Sequence, residues 1–384
     1  MKFEFATATR IIFGQHTVEE VAPIAADMGH RVCIVTGRTL GRAAPLVKQL
    51  NAEGLRTFIF SVPGEPTTAT VQAGLKQALK AGSDLVIGIG GGSVLDTGKA
   101  IAALLANSGN LLDYLEIVGH GKQILQASAP YIAIPTTAGT GAEVTRNAVI
   151  GSPEHGVKVS MRSPLMLPRL AVIDPLLTLS MPPPLTAFTG LDALTQLIEA
   201  FVSNKANPLT DGICREGMRR AARSLRKAFQ AGKDQAARED MAVASLFGGL
   251  ALANAKLGAV HGFAGPLGGM FAAPHGALCG LLLPHVMEAN VYALKTRAPD
   301  SSALARYKEV ARILTGVPTA RAADGVIWVQ DLCGIFEVPP LSAYDLKEKD
   351  FPGVVAKVGR ASSTKGNPIM LTDDELTQIL EKAF

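Results

Sequence analysis

The chain has few aromatic residues and little cysteine. Only 5% of its 384 residues are Phe, Trp or Tyr, with a single Trp among them. The four cysteines stand far apart, without a C-x-x-C pair, so no disulfide framework is expected. Since no signal peptide precedes them, the pattern predicts a reducing, cytoplasmic location.

An excess of charge of one sign is also lacking. Lys and Arg number 37 against 33 Asp and Glu, which leaves a formal net charge of +4. The basic run RRAARSLRK at 219–227 alternates with alanines at helical spacing, which is typical of a solvated helix face. The composition therefore predicts neither a nucleic acid nor a membrane as a partner.

No uninterrupted apolar run is long enough to cross a membrane. Residues 257–287 contain no Lys, Arg, Asp or Glu. However, prolines, glycines and histidines interrupt them, so a run of about 18 apolar residues never occurs. A buried, functional core region is the better interpretation.

What the chain does have is the length of about two domains and a change of pattern along it. Short β-branched runs at 31, 57, 84 and 131 alternate with helical segments from about 39, 67 and 93, which predicts a parallel sheet. FEFATATRIIFG at 3–14 predicts a further strand, as a hairpin or an edge element. After MPPPLTAFTG at 181–190 the periodicity is almost all helical. We predict a Rossmann-like, dinucleotide-binding α/β domain at 1–182 and an all-α domain at 183–384.

A glycine-rich loop follows the strand expected at 84–90. LVIGIGGGSVLDTGKA at 85–100 runs from a buried strand through Gly90, Gly91, Gly92 and Ser93 into a helix. Glycines let backbone amides approach a ligand, and a helix N-terminus adds partial positive charge, so the loop suits a phosphate. Because its spacing fits neither the G-x-G-x-x-G fingerprint nor the P-loop, a tightly packed glycine-rich turn is the alternative.

A second loop strengthens the phosphate hypothesis. IPTTAGTGAEVT at 134–145 also follows an apolar strand and offers hydroxyl groups at Thr136, Thr137 and Thr140. Two such loops at the carboxyl ends of strands in one sheet predict a dinucleotide that lies across the crevice.

Two histidines and an aspartate lie in apolar surroundings further along the chain. His261 and His275 are each followed by glycine, and the prolines and glycines between them allow a bend that brings them together. Asp192 lies on the side of its helix that the pattern buries, where an unpaired carboxylate is costly. Two imidazole nitrogens and a carboxylate predict a divalent metal ion, although a single such histidine is more often a core residue.

Together these motifs resemble those of the iron-dependent, group III alcohol dehydrogenases, in the superfamily of glycerol dehydrogenase and dehydroquinate synthase. The similarity covers almost the whole chain. It rests on GGGSVLDTGKA (90–100), PTTAGTGAEVT (135–145), MPPPLTAFTGLDALT (181–195), VHGFAGPLG (260–268) and PHGALCGLLLPHVM (274–287). It implies a dehydroquinate synthase-like fold, with the active site in the cleft between a nucleotide-binding domain and a helical domain.

The resemblance also implies roles for individual residues. Asp192, His261 and His275 match three metal ligands of the family, and Lys158 matches the lysine near the nicotinamide ribose. The predicted cofactor-binding residues are Gly37, Arg38, Gly90, Gly91, Gly92, Ser93, Asp96, Thr136, Thr137, Thr140 and Lys158.

Two positions depart from the family pattern. Gln196 stands where the iron enzymes have a fourth ligand, a histidine one turn after the aspartate. Gly265 replaces a second active-site histidine. Glycerol dehydrogenases keep zinc with an aspartate and two histidines only. The metal is therefore left open between Fe²⁺, Zn²⁺ and none, and Gln196 is the weakest of the four candidate ligands.

The predicted function is hydride transfer between NAD(P)(H) and a small alcohol or aldehyde, with the metal polarising the substrate oxygen as a Lewis acid. A metal-independent reductase of the maleylacetate reductase type is the second hypothesis, in which hydrogen bonds from Asn147 and Gln196 would hold the substrate oxygen. A lyase resembling dehydroquinate synthase is the third hypothesis, and a non-catalytic binding module is the fourth.

Two further predictions concern cofactor choice and assembly. Many NAD-using relatives have an aspartate after the first buried strand, whereas this chain has Gly37 followed by Arg38, which favours NADP(H) over NAD(H). Related enzymes often pair the FEFATATRIIFG region across a two-fold axis, which predicts a homodimer or higher homo-oligomer.

Overall fold

The computed structural model describes residues 2–271 and 273–384, and the chain divides into two compact units. One unit is Ala6–Ser180. The other comprises Met181–Phe384 together with residues 2–5.

A six-stranded parallel sheet forms the centre of the Ala6–Ser180 unit. Its inner strands are rich in Val and Ile and buried on both faces, as helices on each side of a parallel sheet require. The strands of this sheet are β1 (Ile11–Phe13), β2 (Arg31–Thr36), β3 (Arg56–Ser61), β4 (Leu85–Gly90), β5 (Tyr131–Pro135) and β8 (Leu170–Ile173). Between β5 and β8 the chain forms a separate antiparallel hairpin of β6 (Asn147–Ser152) and β7 (Val157–Arg162). The order across the sheet is β1-β8-β5-β4-β2-β3.

The predicted alternation of strands and helices in this unit is confirmed. Its helices are α1 (Val21–Ala26), α2 (Ala44–Ala52), α3 (Thr68–Ala81), α4 (Gly92–Ala106) and the short α5 (Leu111–Tyr114). Helix α3 begins where the sequence predicts, because the Thr67 hydroxyl accepts a hydrogen bond from the Thr70 amide. Helix α4 follows β4 with a single residue between them.

The first strand is shorter than predicted. Of FEFATATRIIFG only Ile11–Phe13 forms a strand, and it pairs in parallel with β8 at the edge of the sheet. The hairpin is not formed among the described residues of this stretch. The backbone before the strand instead makes two sheet-like contacts, in which the Thr9 amide donates to the Pro168 carbonyl and the Arg10 carbonyl accepts from the Ala171 amide. The edge placement was therefore right, and the length was wrong.

A buried lysine joins helix α4 to the chain that leads into β6. The Lys99 ammonium donates to the carbonyls of Ala142 (2.7 Å) and Asn147 (2.8 Å) and to the Thr145 hydroxyl (2.9 Å). Burial lowers the pKa of Lys99 to about 8, although the carboxylate of Asp96 opposes the shift. Since all three N–H groups are used inside the unit, Lys99 does not act as a P-loop lysine, which agrees with the poor motif match.

Helices make up the Met181–Phe384 unit. They are α6 (Pro183–Val202), α7 (Pro208–Gln230), α8 (Gln235–Ala255), α9 (Ala259–Met270), α10 (His275–Arg297), α11 (Ser302–Thr315), α12 (Ala322–Ile335), α13 (Phe351–Arg360) and α14 (Asp373–Ala383). Helix α6 packs against α7, α8 and α10. It lies at the centre of the unit and positions the site described below.

Two of these helices have the length and apolar composition of a membrane span. They are α6 and α10, and α8 with α9 would form a third if that pair, bent by 101°, were one span. Inside the protein, 83% of the apolar window of α6 and 67% of that of α10 are buried. Their hydrophobicity is therefore accounted for by packing within the unit.

Candidate functional site

Helix α6 presents three polar side chains to the interior of its unit. Asp192, Gln196 and Glu199 are spaced four and three residues apart, which puts them on one helix face, and all three are buried. The helix starts at the proline run, where Pro183 and Pro184 occupy the first turn without needing their missing amide protons. A buried carboxylate pair requires partners from other helices.

The two predicted histidines supply these partners. His261 lies in the first turn of α9, and His275 is the first residue of α10. The two helices are separate elements, so the chain bends between the histidines as predicted, and their rings lie 5.4 Å apart.

Four donor groups converge at this point. The Asp192 Oδ1 atom lies 3.2 Å from His261 Nε2 and 3.9 Å from His275 Nε2. The Cys279 Sγ atom lies 3.8 Å from His261 Nε2 and 3.7 Å from His275 Nε2. All four potential ligand atoms lie within 4.8 Å of one another. The structure therefore brings together Asp192, His261 and His275, and it adds a thiol that the sequence analysis did not include.

Glu199 fixes the orientation of the His261 ring. Its Oε2 lies 2.6 Å from His261 Nδ1, and its Oε1 accepts a hydrogen bond from the Val260 amide at 2.7 Å. When Nδ1 carries the proton toward Glu199, the lone pair of Nε2 faces the Asp192 carboxylate. Two acceptors 3.2 Å apart repel each other unless a proton or a metal cation lies between them. The geometry thus fits a bound metal ion.

The interactions between the four donor side chains and Glu199 also shift the pKa values of the donors. Burial lowers the pKa of His261, but Cys279, Asp192 and Glu199 together raise it well above its ordinary value. Burial raises the pKa of Asp192, yet the hydrogen bond from His261 and the charge of His275 bring it below its ordinary value. For Cys279 the two histidines likewise outweigh burial, and the thiol pKa is lowered. Each shift is caused by the other members of the cluster, so these groups are electrostatically coupled.

Gln196 lies beside the cluster with its amide nitrogen toward it. Its Nε2 donates to Asp192 Oδ1 at 3.0 Å. A Cβ on Gly248 of α8 would lie only 2.8 Å from Gln196 Oε1, so the amide oxygen is turned toward α8. Gln196 therefore orients the aspartate in this structure.

Gly265 leaves space on the same helix as His261. A Cβ built at Gly265 would meet no described atom within 4 Å beyond its own helix and chain neighbours. The second missing histidine is therefore not replaced by another group that fills its position.

The two glycine and hydroxyl loops of the Ala6–Ser180 unit lie against each other. The Thr136 amide donates to the Gly90 carbonyl at 2.9 Å, which aligns the ends of β4 and β5. A Cβ on Gly92 would lie 2.8 Å from the Thr140 methyl group, and one on Gly91 would lie 3.3 Å from that of Thr137. Both glycines therefore allow the second loop to pack on the first.

Helix α4 begins directly at the glycine turn. Val94 and Leu95 donate to the Gly91 carbonyl at 3.0 and 3.1 Å, and these are the first hydrogen bonds of the helix. The amides of Gly92 and Ser93 precede them, at the positive end of the helix dipole. This is the local geometry that a pyrophosphate group requires.

Gly37 and Arg38 continue from the carboxyl end of β2, next to β4 in the sheet. The Ser61 hydroxyl donates to the Gly37 carbonyl at 3.2 Å, and Arg38 Nε donates to the Pro63 carbonyl. The Arg38 side chain is exposed. Gly37 and Arg38 therefore lie on the side of the sheet where the carboxyl ends of β4 and β5 are also found.

The remaining predicted residues contact the β6–β7 hairpin. Asp96 Oδ2 accepts from the Val149 amide at 3.0 Å, and Lys158 Nζ pairs with Glu65 at 2.5 Å. Asn147 starts β6, and its carbonyl is one of the acceptors of Lys99. Asp96 is thus held within its unit by a backbone amide.

The sequence matches two family models in succession. Residues 8–175 match the model described as iron-containing alcohol dehydrogenase, and residues 186–384 match the C-terminal model of the Fe-containing alcohol dehydrogenase family. The chain belongs to the iron-containing alcohol dehydrogenase family. This dehydrogenase is therefore an NAD(P)-linked alcohol oxidoreductase that works with a metal ion.

Relatives and solved structures agree with that assignment over the whole chain. Alcohol dehydrogenase 4 of Saccharomyces cerevisiae is 35% identical over 97% of this chain and 96% of its own length. The 1,3-propanediol dehydrogenase of Klebsiella pneumoniae is 33% identical over 100% of this chain and 99% of its own.

Among solved structures, a 1,3-propanediol oxidoreductase has a TM-score of 0.92 at 32% identity, with both chains covered completely. A sulfoacetaldehyde reductase from Bifidobacterium kashiwanohense in complex with NAD⁺ has a TM-score of 0.88 at 29% identity, covering 100% of this chain and 99% of its own.

Two residues near the metal cluster of this dehydrogenase were not predicted from sequence. Cys279 lies one turn after His275 on α10, and Glu199 lies two turns after Asp192 on α6. The i, i+4 and i, i+7 spacings are the signals that could have found them. Neither spacing distinguishes a ligand or its support from an ordinary buried residue.

We expect Glu199→Gln to weaken metal binding by about 10- to 100-fold, the usual effect of removing a partner behind a histidine ligand. The amide retains the shape of the side chain but loses the charge that holds the Nδ1 proton of His261. Competition with a chelator of known affinity measures the change. Glu381→Gln, on the exposed face of α14, is the matched control. Equal metal affinities for the two variants would show that Glu199 has no part in the centre.

Proposed function

We propose that this dehydrogenase interconverts a small alcohol and its aldehyde, using NADP(H) and a divalent ion held by Asp192, His261 and His275. The observation that carries the proposal is the convergence of these three donors, with Glu199 behind His261. Carboxylate and imidazole donors suit a borderline divalent ion. The names of the relatives above support a short alcohol or aldehyde as the substrate.

When bound, the ion supplies a Lewis acid for the substrate oxygen, and NAD(P)(H) exchanges the hydride. The protein positions these partners. The side chains of Asp192 and His261 are almost fully buried, whereas that of His275 is 37% exposed, so the cluster opens on the His275 side. Gln196 and Glu199 restrict the motion of Asp192 and His261. Space at Gly265 leaves room for a substrate near the same helix.

The competing reactions are less well supported. A metal-free reductase would need the amides of Asn147 and Gln196 for the substrate, yet the Gln196 Nε2 donates to Asp192. A metal-free site would also need a proton on both ring nitrogens of His261, because one faces Glu199 and the other faces Asp192. The relatives are dehydrogenases and reductases, which does not favour a lyase or a binding module.

Asp192→Asn and His275→Ala should each abolish metal-dependent turnover with the fold intact. Each change removes a direct ligand, so metal affinity should fall further than the about 10- to 100-fold expected for an outer-shell partner. Metal analysis, circular dichroism and NADPH oxidation with a panel of short aldehydes measure the three effects. Asp331→Asn, an exposed position on α12, is the control. Full activity of the metal-free wild type, kept in both variants, would support the metal-independent reductase instead.

The preference for NADP(H) rests on Gly37 and Arg38. Both follow β2, beside the loop after β4 that we propose for the pyrophosphate, so they lie on the side where the adenosine ribose would extend. A glycine there leaves no carboxylate to repel a 2′-phosphate. The exposed guanidinium of Arg38 can pair with that phosphate.

We expect Gly37→Asp to reverse the cofactor preference from NADPH to NADH. An Asp side chain fits, because the nearest atom to a Cβ at Gly37 is a Val94 methyl group 3.9 Å away. Arg38→Gln should lower kcat/KM for NADPH alone by about 10- to 100-fold, since hydrogen bonds to charged groups contribute about 1.5–3 kcal/mol. Arg56→Gln, exposed at the opposite end of β3, is the control. A wild type that uses NADH as efficiently as NADPH would contradict the proposal.

We further propose a cytoplasmic homodimer or higher homo-oligomer. The wide spacing of the cysteines supports the location. The short edge strand β1, whose residues are only half-buried, supports the assembly, because an open edge is a ready site for pairing. Light scattering at micromolar concentration should give at least twice the chain mass of 40.1 kDa. A mass of one chain would contradict it.

A further inference from the structure

Cys279 has a position that sets it apart from the other cysteines. It is fully buried on α10, one turn after His275, and its Sγ lies 3.8 Å and 3.7 Å from the Nε2 atoms of His261 and His275. Cys214 is also fully buried in the same unit, and Cys333 donates to the Gly280 carbonyl. Within the described residues, only Cys279 belongs to a group of potential metal ligands.

Four separations in the cluster lie near those of a tetrahedral site, and all of its donor atoms lie within 4.8 Å of one another. With Zn–S of about 2.3 Å and Zn–N of about 2.0–2.1 Å, tetrahedral angles put sulfur about 3.5–3.6 Å from each nitrogen and two N or O donors about 3.3–3.4 Å apart. The observed sulfur-to-nitrogen distances exceed these values by small margins. The distances from Asp192 Oδ1 to the Nε2 atoms of His261 and His275 are 3.2 and 3.9 Å, one below and one above the value expected for two N or O donors.

The residue at the family's fourth ligand position does not compete for this role. Gln196 turns its amide nitrogen toward Asp192, and an amide N–H group is a donor that cannot bind a cation. Its oxygen faces α8 at Gly248. The thiol of Cys279 therefore supplies the fourth donor atom of the cluster from another helix.

The chemistry of a thiolate ligand also bears on the identity of the ion. The buried carboxylates of Asp192 and Glu199 already balance the two positive charges of a divalent ion, so the contribution of the thiol is its softness. Thiolate ligands are soft and favour zinc, and zinc also exceeds Fe²⁺ in general affinity for such sites.

We propose that Cys279 Sγ is the fourth ligand of the metal centre, which forms an Asp-His-His-Cys site that selects zinc over Fe²⁺. The proposal rests on the metal-dependent function above and specifies the identity of the ion. The exposed side of His275 would leave such a centre accessible to a substrate oxygen, because catalytic zinc sites can accept a fifth ligand.

Cobalt spectroscopy tests the ligand directly. Co²⁺ replaces zinc in such sites, and a bound thiolate gives a near-ultraviolet charge-transfer band that nitrogen and oxygen ligands do not give. The purified full-length wild type, Cys279→Ser, Cys279→Ala and the control Cys214→Ala are loaded with Co²⁺ under a non-chelating phosphine reductant. The band should appear in the wild type and in Cys214→Ala and be absent from both Cys279 variants. Circular dichroism verifies that each variant is folded.

Competition between metals tests the selectivity. The apoprotein is offered equimolar Zn²⁺ and Fe²⁺ without oxygen, and the bound metals are counted by mass spectrometry. The wild type should take up zinc, and Cys279→Ser should lose at least about tenfold of its zinc-over-iron preference. Cys214→Ala should behave as the wild type.

Two results would overturn the proposal, and they differ in their consequences for the function. Stoichiometric Co²⁺ binding without the charge-transfer band in the wild type would exclude Cys279 as a ligand and leave the metal-dependent function intact. No binding of Co²⁺ or Zn²⁺ by the wild type, with turnover unaffected by chelator, would overturn the proposed function and the ligand together.

Discussion

The arrangement of the helical unit depends on the burial of one carboxylate. Asp192 lies inside its unit, where an unpaired negative charge would cost several kcal/mol. Its partners come from three helices, with Gln196 on α6, His261 on α9 and His275 on α10. The attraction of those groups therefore adds to the packing that positions α6, α9 and α10. The same groups are suited to a cation. The contacts that contribute to the stability of the fold are therefore also those that would bind the metal.

The Ala6–Ser180 unit shows a different use of buried charge. The ammonium of Lys99 donates hydrogen bonds to two carbonyls and a hydroxyl within the unit, and Asp96 accepts one from a backbone amide. Both charges have partners within the unit. The proposed phosphate site at the Gly91–Gly92 turn thus relies on backbone amides and the dipole of α4. Such a site recognises the geometry of a pyrophosphate rather than its charge alone. The discrimination between NAD(H) and NADP(H) by charge therefore depends on Arg38.

Local patterns predicted much of the fold and part of the site. Strand and helix periods indicated the parallel sheet. The helices predicted from about 67 and 93 start within a residue of those positions, whereas the one predicted from about 39 starts at Ala44. The grouping of Asp192, His261 and His275 followed from unusual residue types in apolar stretches. Glu199 and Cys279 were missed because a buried Glu or Cys at helical spacing becomes meaningful only when the neighbouring helix is known. The strand predicted around Ile11–Phe13 was too long for a related reason. β-Branched residues favour a strand, but only pairing with β8 determines its length.

The two histidines that this chain lacks relative to its family have different structural consequences. At Gly265 no described atom lies within 4 Å of where a Cβ would be, so that change leaves more space around the centre. At Gln196 the lost ligand is matched by a thiol on α10, so the number of donors is kept while the fourth donor moves to another helix. A thiolate also places a second negative charge beside the ion, which makes the centre a weaker Lewis acid than one with a fourth histidine. The substrate oxygen would then be polarised less strongly, and orientation of the substrate in the enlarged space becomes the larger part of what the protein contributes to catalysis.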